Sequence, residues 1–90
     1  MSTPVNPPAP RVRMVGRPDC HLCDDARLVI ARVCADLAVT WDEVSLDDDE
    51  TLRDRYADEI PVTFVDGRQH GFWRVDETRL RAALSGPVAP

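Results

Sequence analysis

The feature that most constrains this chain is a pair of cysteines, Cys20 and Cys23, between a short apolar segment and a long amphipathic one. Residues 11–16 have the composition of a β-strand, and from Cys20 onward apolar residues recur with helical spacing. Thiols at positions i and i+3 of a first helical turn lie close enough to form a small disulfide ring. The free amide groups of that turn and the positive end of the helix dipole favour a thiolate on Cys20. The pattern therefore predicts a thiol–disulfide redox site.

The size and charge of the chain narrow the classes of function. Ninety residues suffice for one small domain with one core. The net charge of −5 argues against nucleic acid or an anionic membrane as a partner. No apolar run has membrane-spanning length, and the first ten residues lack the features of a signal peptide. Three cysteines cannot all pair within one chain, which favours a reducing compartment, with the cytoplasm as the default. We expect a monomer, although the sequence leaves the oligomeric state open.

The folded unit is expected to span residues 11–85. Residues 1–10 hold four of the eight prolines and no hydrophobic pattern, so they are expected to form a disordered tail. Residues 86–90 are expected to be a second tail that follows a helix stop. The chain is therefore predicted to contain one domain between two tails.

The apolar pattern predicts seven elements in the order β-α-β-α-β-β-α. Strands are expected at 11–16, 39–46, 62–65 and 68–73, with a long helix from residue 20, a two-turn helix ending near residue 56, and a closing helix capped by Asp76. Asp66-Gly67 indicates a tight hairpin. A strand, a crossover helix and a second strand imply a parallel pair, to which the hairpin adds antiparallel strands. The predicted fold class is α/β, with a four-stranded mixed sheet flanked by helices.

Two segments of the chain resemble the glutaredoxin branch of the thioredoxin-fold proteins. They are Pro18-Asp19-Cys20-His21-Leu22-Cys23, of the type Pro-x-Cys-His-Leu-Cys, and Ile60-Pro61-Val62 before the hairpin. The resemblance covers about residues 11–85 and implies a thioredoxin-like fold of the glutaredoxin type. It also implies that Pro61 is cis and faces the dithiol, and that the backbone of Ile60 pairs with the backbone of a bound thiol substrate.

The chain departs from the glutaredoxin pattern in the region that binds glutathione. Glutaredoxins carry a Gly-Gly pair followed by an acidic pair. Here Gly71 precedes the bulky Phe72, and the acidic pair Asp76-Glu77 stands about two positions further along the chain than in that pattern. Arg17 occupies the place of the basic residue that often precedes the motif. The resemblance thus implies no bound cofactor and leaves open whether glutathione or a thioredoxin-reductase-type donor supplies the electrons.

Cys20 is assigned as the nucleophile and Cys23 as the resolving thiol, because Cys20 stands at the helix start and Cys23 lies one turn further in. The expected substrate is a disulfide in a protein or a small molecule. The residues predicted to meet it are Arg17, His21, Leu22, Ile60 and Pro61. Arg17 and a protonated His21 favour the Cys20 thiolate, while the acidic neighbours oppose it. We therefore expect a reductant or exchange catalyst rather than a strong oxidant.

Two other interpretations of the motif stay open. One is a non-enzymatic thioredoxin-fold module that docks a partner in a groove beside Ile60 and Pro61. The other is a zinc site, because C-x-x-C is also half of such a site. Further ligands are missing, since His21 lies inside the motif and Cys34 is roughly 16 Å from Cys23 at 1.5 Å per helical residue. No metal is expected within one chain, and a metal or cluster shared between subunits stays open.

Structural roles are expected for the other distinctive residues. Cys34 is expected to be a small residue at the edge of the core. Trp41 and Trp73 are expected to pack on strands, although the resemblance to glutaredoxins places Phe72-Trp73 where that family has part of its binding groove. His70 is expected to be an exposed hairpin residue. The acidic run at 47–50 is expected to form a helix cap and a solvated turn rather than a cation site.

Overall fold

The computed structural model describes residues 10–86. Its elements, in chain order, are β1 (Val12–Gly16), α1 (His21–Leu37), β2 (Trp41–Ser45), a 3₁₀ turn (Leu46–Asp48), α2 (Glu50–Tyr56), β3 (Val62–Val65), β4 (Arg68–Phe72) and α3 (Glu77–Leu84). The predicted order β-α-β-α-β-β-α is confirmed. The tails expected at 1–10 and 86–90 lie outside the described residues, except for Pro10 and Gly86.

Three predicted strands are longer than the structure makes them, the first by one residue, since β1 begins at Val12. Ala38 ends α1 in the left-handed conformation, with φ 55°, and the N–H of Val39 donates to the carbonyl of Cys34 at 2.9 Å. Because these residues close the helix, β2 begins at Trp41 rather than at residue 39. Trp73 has a φ of 64°, which strand residues do not adopt, so β4 ends one residue earlier than predicted.

The four strands form one mixed sheet in the order β2-β1-β3-β4. β1 and β2 are parallel, as the crossover through α1 requires. β3 is antiparallel to both β1 and β4. The turn between β3 and β4 is formed by Asp66 and Gly67, which both have positive φ, at 52° and 81°. This turn matches the right-handed twist of the strands, so the hairpin predicted from Asp66-Gly67 is confirmed.

Apolar side chains cover both faces of the sheet. Val12 and Met14 of β1 point to one face, where the buried residues of the larger cluster are Cys23, Ala26, Ile30, Val33, Cys34, Val65, Leu80 and Leu84. Val15 points to the other face and packs with Leu46 and Val62. Cys34 therefore belongs to the larger cluster, and Trp41 packs against the same cluster, as expected. Within residues 10–86, none of the helices combines the length and the apolar character needed to cross a membrane.

Candidate redox site

The two cysteines of the motif meet at the first turn of α1. Cys20 is the N-cap residue, with an extended backbone, and its sulfur accepts the N–H of Cys23 at 3.2 Å. A cysteine here occupies the position usually filled by a serine or aspartate that caps a helix. Cys20 is half-buried, whereas the exposed fraction of Cys23 is 0%. The sulfur of Cys20 is thus the more accessible of the two, and it lies where the helix presents unpaired N–H groups.

Burial changes the acidity of Cys23. Loss of solvent is the largest influence and, together with the hydrogen bond and charge of Cys20, raises the pKa of the Cys23 thiol from its ordinary 9.0 to about 11. The backbone N–H of Arg17 and the charge of Arg27 act in the opposite direction without cancelling this rise. The Cys23 thiol therefore keeps its proton at neutral pH and is not a nucleophile while Cys20 is free.

Gly16, the last residue of β1, allows Cys23 to pack against the sheet. A Cβ atom at Gly16 would lie 3.0 Å from the Cys23 sulfur and 3.2 Å from Cε of Met14. Both distances are shorter than the 3.5–4.0 Å of ordinary contacts. The sequence interpretation assigned Gly16 no role in the site, although a glycine at the end of the strand before the motif is a signal of close backbone approach.

Ion pairs surround the dithiol. The guanidinium of Arg17 donates to Asp47 at 3.2 Å, in a pair that is about half exposed. Arg27 donates to Asp24 at 2.6 Å and makes two hydrogen bonds to Glu43, at 2.6 and 2.8 Å. These contacts neutralise one acidic residue beside the motif, and they tie the start of α1 to β2.

The acidic run at 47–50 acts as a cap, as expected. The carboxylate of Asp49 accepts the N–H groups of Thr51 and Leu52 at the start of α2. Among residues 10–86, no group of three or more histidine, cysteine, aspartate or glutamate side chains is placed to hold a metal ion.

A groove of about 330 Å³ borders the dithiol motif at Leu22. The residues that line it are Leu22, Ile60, Phe72, Trp73 and Arg74. Leu22 lies between the two cysteines, and Ile60 packs against the same core cluster as Cys20. The Ile60–Pro61 bond is cis, and Pro61 is buried. The structure thus places two of the five predicted contact residues, Leu22 and Ile60, in the wall of this groove. Arg17 and His21 are exposed and do not line it.

Two expectations for aromatic side chains were wrong. Trp73 is 52% exposed and lies in the groove wall, so it is not a packing residue on a strand. Its neighbour Phe72 is 45% exposed. His70 is half-buried rather than exposed, and its Nε2 is buried with no hydrogen-bond partner in the described part of the chain. Burial and the nearby Arg79 lower the pKa of His70. The resemblance to glutaredoxins placed Phe72-Trp73 in the region of the family's binding groove, and both residues line this groove.

Comparison with known proteins identifies the family. The family model described as "Glutaredoxin-like domain (DUF836)" matches residues 11–85. An uncharacterized protein of Mycobacterium tuberculosis is 32% identical over 83 residues, a match that covers 84% of this chain and 84% of that protein. The X-ray structure of protein XcR50 from X. campestris is 36% identical with a TM-score of 0.67, covering 84% of this chain and 99% of that one. A glutaredoxin from Archaeoglobus fulgidus, at 16% identity, shares the fold with a TM-score of 0.59, covering 87% and 89% of the two chains. The predicted thioredoxin-like fold is confirmed, and the chain belongs to the glutaredoxin-like family.

Proposed function

We propose that the protein is a thiol–disulfide oxidoreductase in which Cys20 attacks the substrate and Cys23 resolves the intermediate. The observation that carries this proposal is the difference between the two sulfurs of one helical turn. Cys20 is accessible and accepts the N–H of Cys23, while Cys23 is fully buried and its pKa is about 11. This difference supports Cys20 as the thiol that meets the substrate first and Cys23 as the thiol that acts in the following step.

The proposed reaction has two exchange steps. The Cys20 thiolate attacks one sulfur of a substrate disulfide; the S–S bond breaks, and the first thiolate leaves and takes a proton from water. The product is a mixed disulfide between Cys20 and the remaining half of the substrate. Cys23 then gives up its proton and attacks the Cys20 sulfur, and the released thiolate is protonated. Two electrons and two protons pass to the substrate, and Cys20–Cys23 becomes a disulfide.

Forming the mixed disulfide prepares Cys23 for the second step. The hydrogen bond and negative charge of Cys20 both contribute to the raised pKa of Cys23. A Cys20 sulfur bonded to substrate carries no charge, so these two contributions disappear and leave burial as the cause of the rise. The N–H of Arg17 and the charge of Arg27 still favour the thiolate. The pKa of Cys23 should therefore fall when its thiolate is needed.

The proposed cycle closes when an external thiol reduces the Cys20–Cys23 disulfide. Two glutathione molecules, or the dithiol of a thioredoxin-reductase-type protein, would supply the two electrons. The substrate class is a protein or small-molecule disulfide. We place this activity in a reducing compartment, with the cytoplasm as the default, in a monomer. The odd number of cysteines supports that setting.

The test is a set of cysteine variants equilibrated in glutathione redox buffers. Wild type should form an intramolecular disulfide reversibly, and Cys23→Ser should accumulate a mixed disulfide on Cys20, identified by mass spectrometry after proteolysis. Cys34→Ala is the matched control, because it removes a buried thiol outside the motif and leaves the dithiol intact. A dithiol that forms no disulfide at any buffer ratio would contradict the function. An adduct on Cys23 in Cys20→Ser, with none on Cys20 in Cys23→Ser, would reverse the two roles.

The second candidate is a non-enzymatic module that docks a partner beside Ile60 and Pro61. The observation that favours it is the pair of half-exposed aromatic side chains, Phe72 and Trp73, in the groove. Replacing both cysteines separates the candidates. A double variant, Cys20→Ser with Cys23→Ser, that keeps the full biological activity of the protein would support docking. Loss of that activity in the folded double variant supports the redox function.

A further inference from the structure

The groove beside the dithiol is apolar and carries little charge. Four of its five lining residues are Leu22, Ile60, Phe72 and Trp73, and the remaining one is Arg74. Among residues 10–86 three large apolar side chains are exposed, and two of them, Phe72 and Trp73, stand side by side in this groove. A single exposed apolar residue is ordinary on a protein surface, whereas a contiguous pair in a concave site indicates a contact surface.

Trp73 is held in place by several contacts that leave half of its surface uncovered. Its backbone N–H donates to the carbonyl of Pro61 at 2.7 Å, and its indole Nε1–H donates to the carbonyl of Asp58 at 3.2 Å. Its ring packs edge-to-face on Phe72, with the ring centroids 4.9 Å apart. The indole is therefore positioned before any substrate arrives, which lowers the entropic cost of binding to it.

The backbone of Trp73 is strained. A φ of 64° is uncommon for any residue other than glycine and is an outlier for a bulky one. Strained residues persist where surrounding contacts impose them, and they cluster at functional sites. The hydrogen bond to Pro61 couples this strained position to the cis-peptide segment, which also contributes Ile60 to the groove.

The chemistry of the groove distinguishes two kinds of disulfide substrate. Glutathione offers two carboxylates and an ammonium group and has no apolar side chain apart from its cysteine, while the groove offers one guanidinium and four apolar walls. A polypeptide with an apolar residue next to its disulfide cysteine would bury that residue against the indole, and tryptophan is among the residues that most often dominate such contacts.

We propose that Trp73, supported by Phe72, is a specificity determinant that directs the Cys20–Cys23 dithiol to protein disulfides with an apolar residue beside the cysteine. This inference rests on the function proposed above, and Trp73 acts by positioning the polypeptide rather than by contacting the reacting sulfur atoms.

The test compares single-turnover reduction of defined disulfides by the pre-reduced protein, so that no electron donor is needed. The probes are disulfide-linked dimers of acetyl-Gly-Phe-Cys-Gly-amide and acetyl-Gly-Ser-Cys-Gly-amide, together with oxidised glutathione. Wild type should reduce the Phe peptide about tenfold faster than the Ser peptide or glutathione, measured as second-order rate constants. Trp73→Gly should lower the rate for the Phe peptide about tenfold and change the Ser-peptide rate less than twofold.

The variants are chosen so that folding does not obscure the result. Glycine accepts the positive φ at position 73, so Trp73→Gly removes the indole without forcing the backbone to change. Leu28→Ala is the matched control, because Leu28 is 68% exposed and does not line the groove. It should reduce all three substrates at the wild-type rate. Phe72→Ala alters the same groove wall, and its rate for the Phe peptide relative to the Ser peptide should lie between those of wild type and Trp73→Gly.

Binding is measured separately in Cys20→Ala, which cannot form the mixed disulfide through Cys20. The indole N–H resonance of Trp73 should shift on titration with the Phe peptide and stay in place with the Ser peptide. Equal wild-type rates for the two peptides, or a preference that survives in folded Trp73→Gly, would overturn the inference while leaving the oxidoreductase intact. If wild type reduces none of the three disulfides, the proposed function itself fails, and this inference fails with it.

Discussion

Gly16 offers a sharp test of how the dithiol is packed. Replacing it with alanine adds one methyl group whose carbon would lie 3.0 Å from the Cys23 sulfur and 3.2 Å from Cε of Met14. Ordinary contacts are about 3.5–4.0 Å, so the neighbours must move by roughly half an ångström. The flexible end of Met14 can yield, but Cys23 belongs to the first turn of α1 and cannot move without its helix. We therefore expect the added methyl group to displace the Cys23 sulfur and to distort the dithiol.

The size of the effect follows from two opposing contributions. Adding a methyl group to a well-packed core costs typically about 1–3 kcal/mol. Replacing glycine by alanine at a compatible backbone position returns about 0.4–1 kcal/mol, because the unfolded chain loses conformational freedom. The free energy of unfolding of the reduced protein should fall by about 1–2 kcal/mol. In a domain of this size each kcal/mol lowers the melting temperature by about 4–8 °C.

The control is another strand glycine, Gly71 in β4. A Cβ atom there would lie 3.5 Å from Nη1 of Arg79, which is an ordinary contact. Gly71→Ala should leave the free energy of unfolding unchanged or raise it by up to about 1 kcal/mol. Urea unfolding of the three reduced proteins gives these values, and the rate at which iodoacetamide alkylates Cys23 should rise in Gly16→Ala alone. If Gly16→Ala is as stable as Gly71→Ala and protects Cys23 as well as wild type does, the packing argument is wrong.

Two further predictions concern titration and the hairpin. The pKa of Cys23 is raised to about 11 in the folded protein, so the folded state favours the protonated thiol. The stability that this preference contributes is complete below the ordinary pKa of 9.0 and is lost as the pH rises toward 11. The free energy of unfolding of the reduced protein should therefore fall with pH in that range, with up to about 1.4 kcal/mol per pH unit from Cys23. Cys23→Ala, followed by urea unfolding at each pH, should reduce this slope and leave the part that comes from Cys34, whose pKa is also raised by burial. The chain contains no lysine that would titrate there. Separately, Asp66 accepts two hydrogen bonds from Arg11, at 2.9 and 3.0 Å, with its side chain 4% exposed. Asp66→Asn should cost about 1.5–3 kcal/mol in a thermal or urea melt, and an equal loss in Asp42→Asn, whose pair with Arg13 is exposed, would refute that reasoning.

The sequence predicted those parts of the molecule that depend on neighbouring residues. The hairpin follows from Asp66-Gly67, because an Asp-Gly pair accepts two consecutive positive φ angles. The cap of α3 follows from Asp76, whose carboxylate accepts the N–H of Arg79 three residues on. The position of Cys20 at the start of α1 likewise depends on the residues next to it in the sequence. Each of these features is decided within about four residues.

The resemblance places Phe72-Trp73 in the region of the binding groove, but the exposure of the indole could not be predicted from the residues, because it depends on contacts between distant segments. The position of Trp73 depends on the carbonyl of Pro61, twelve residues earlier, and on that of Asp58, fifteen residues earlier. A tryptophan after a run of strand residues has the composition of a packed strand end. Only the left-handed backbone at Trp73, which local propensity disfavours, turns the indole into the groove. The surroundings of His70 also involve a later segment, since Arg79 of α3 donates to its backbone carbonyl at 2.6 Å.

The charges around the dithiol also depend on segments that are distant in the sequence. Counting neighbours along the chain places acidic residues on both sides of the motif and suggests that they oppose a thiolate. In the structure Asp24 is bound by Arg27, which also holds Glu43 from β2, sixteen residues further along the chain. The positive charge that reaches Cys23 comes from this same Arg27. The ion pairs between α1 and β2 thus also offset part of the negative charge near Cys23. Arg27 therefore contributes both to the packing of the helix and to the chemistry proposed at its start.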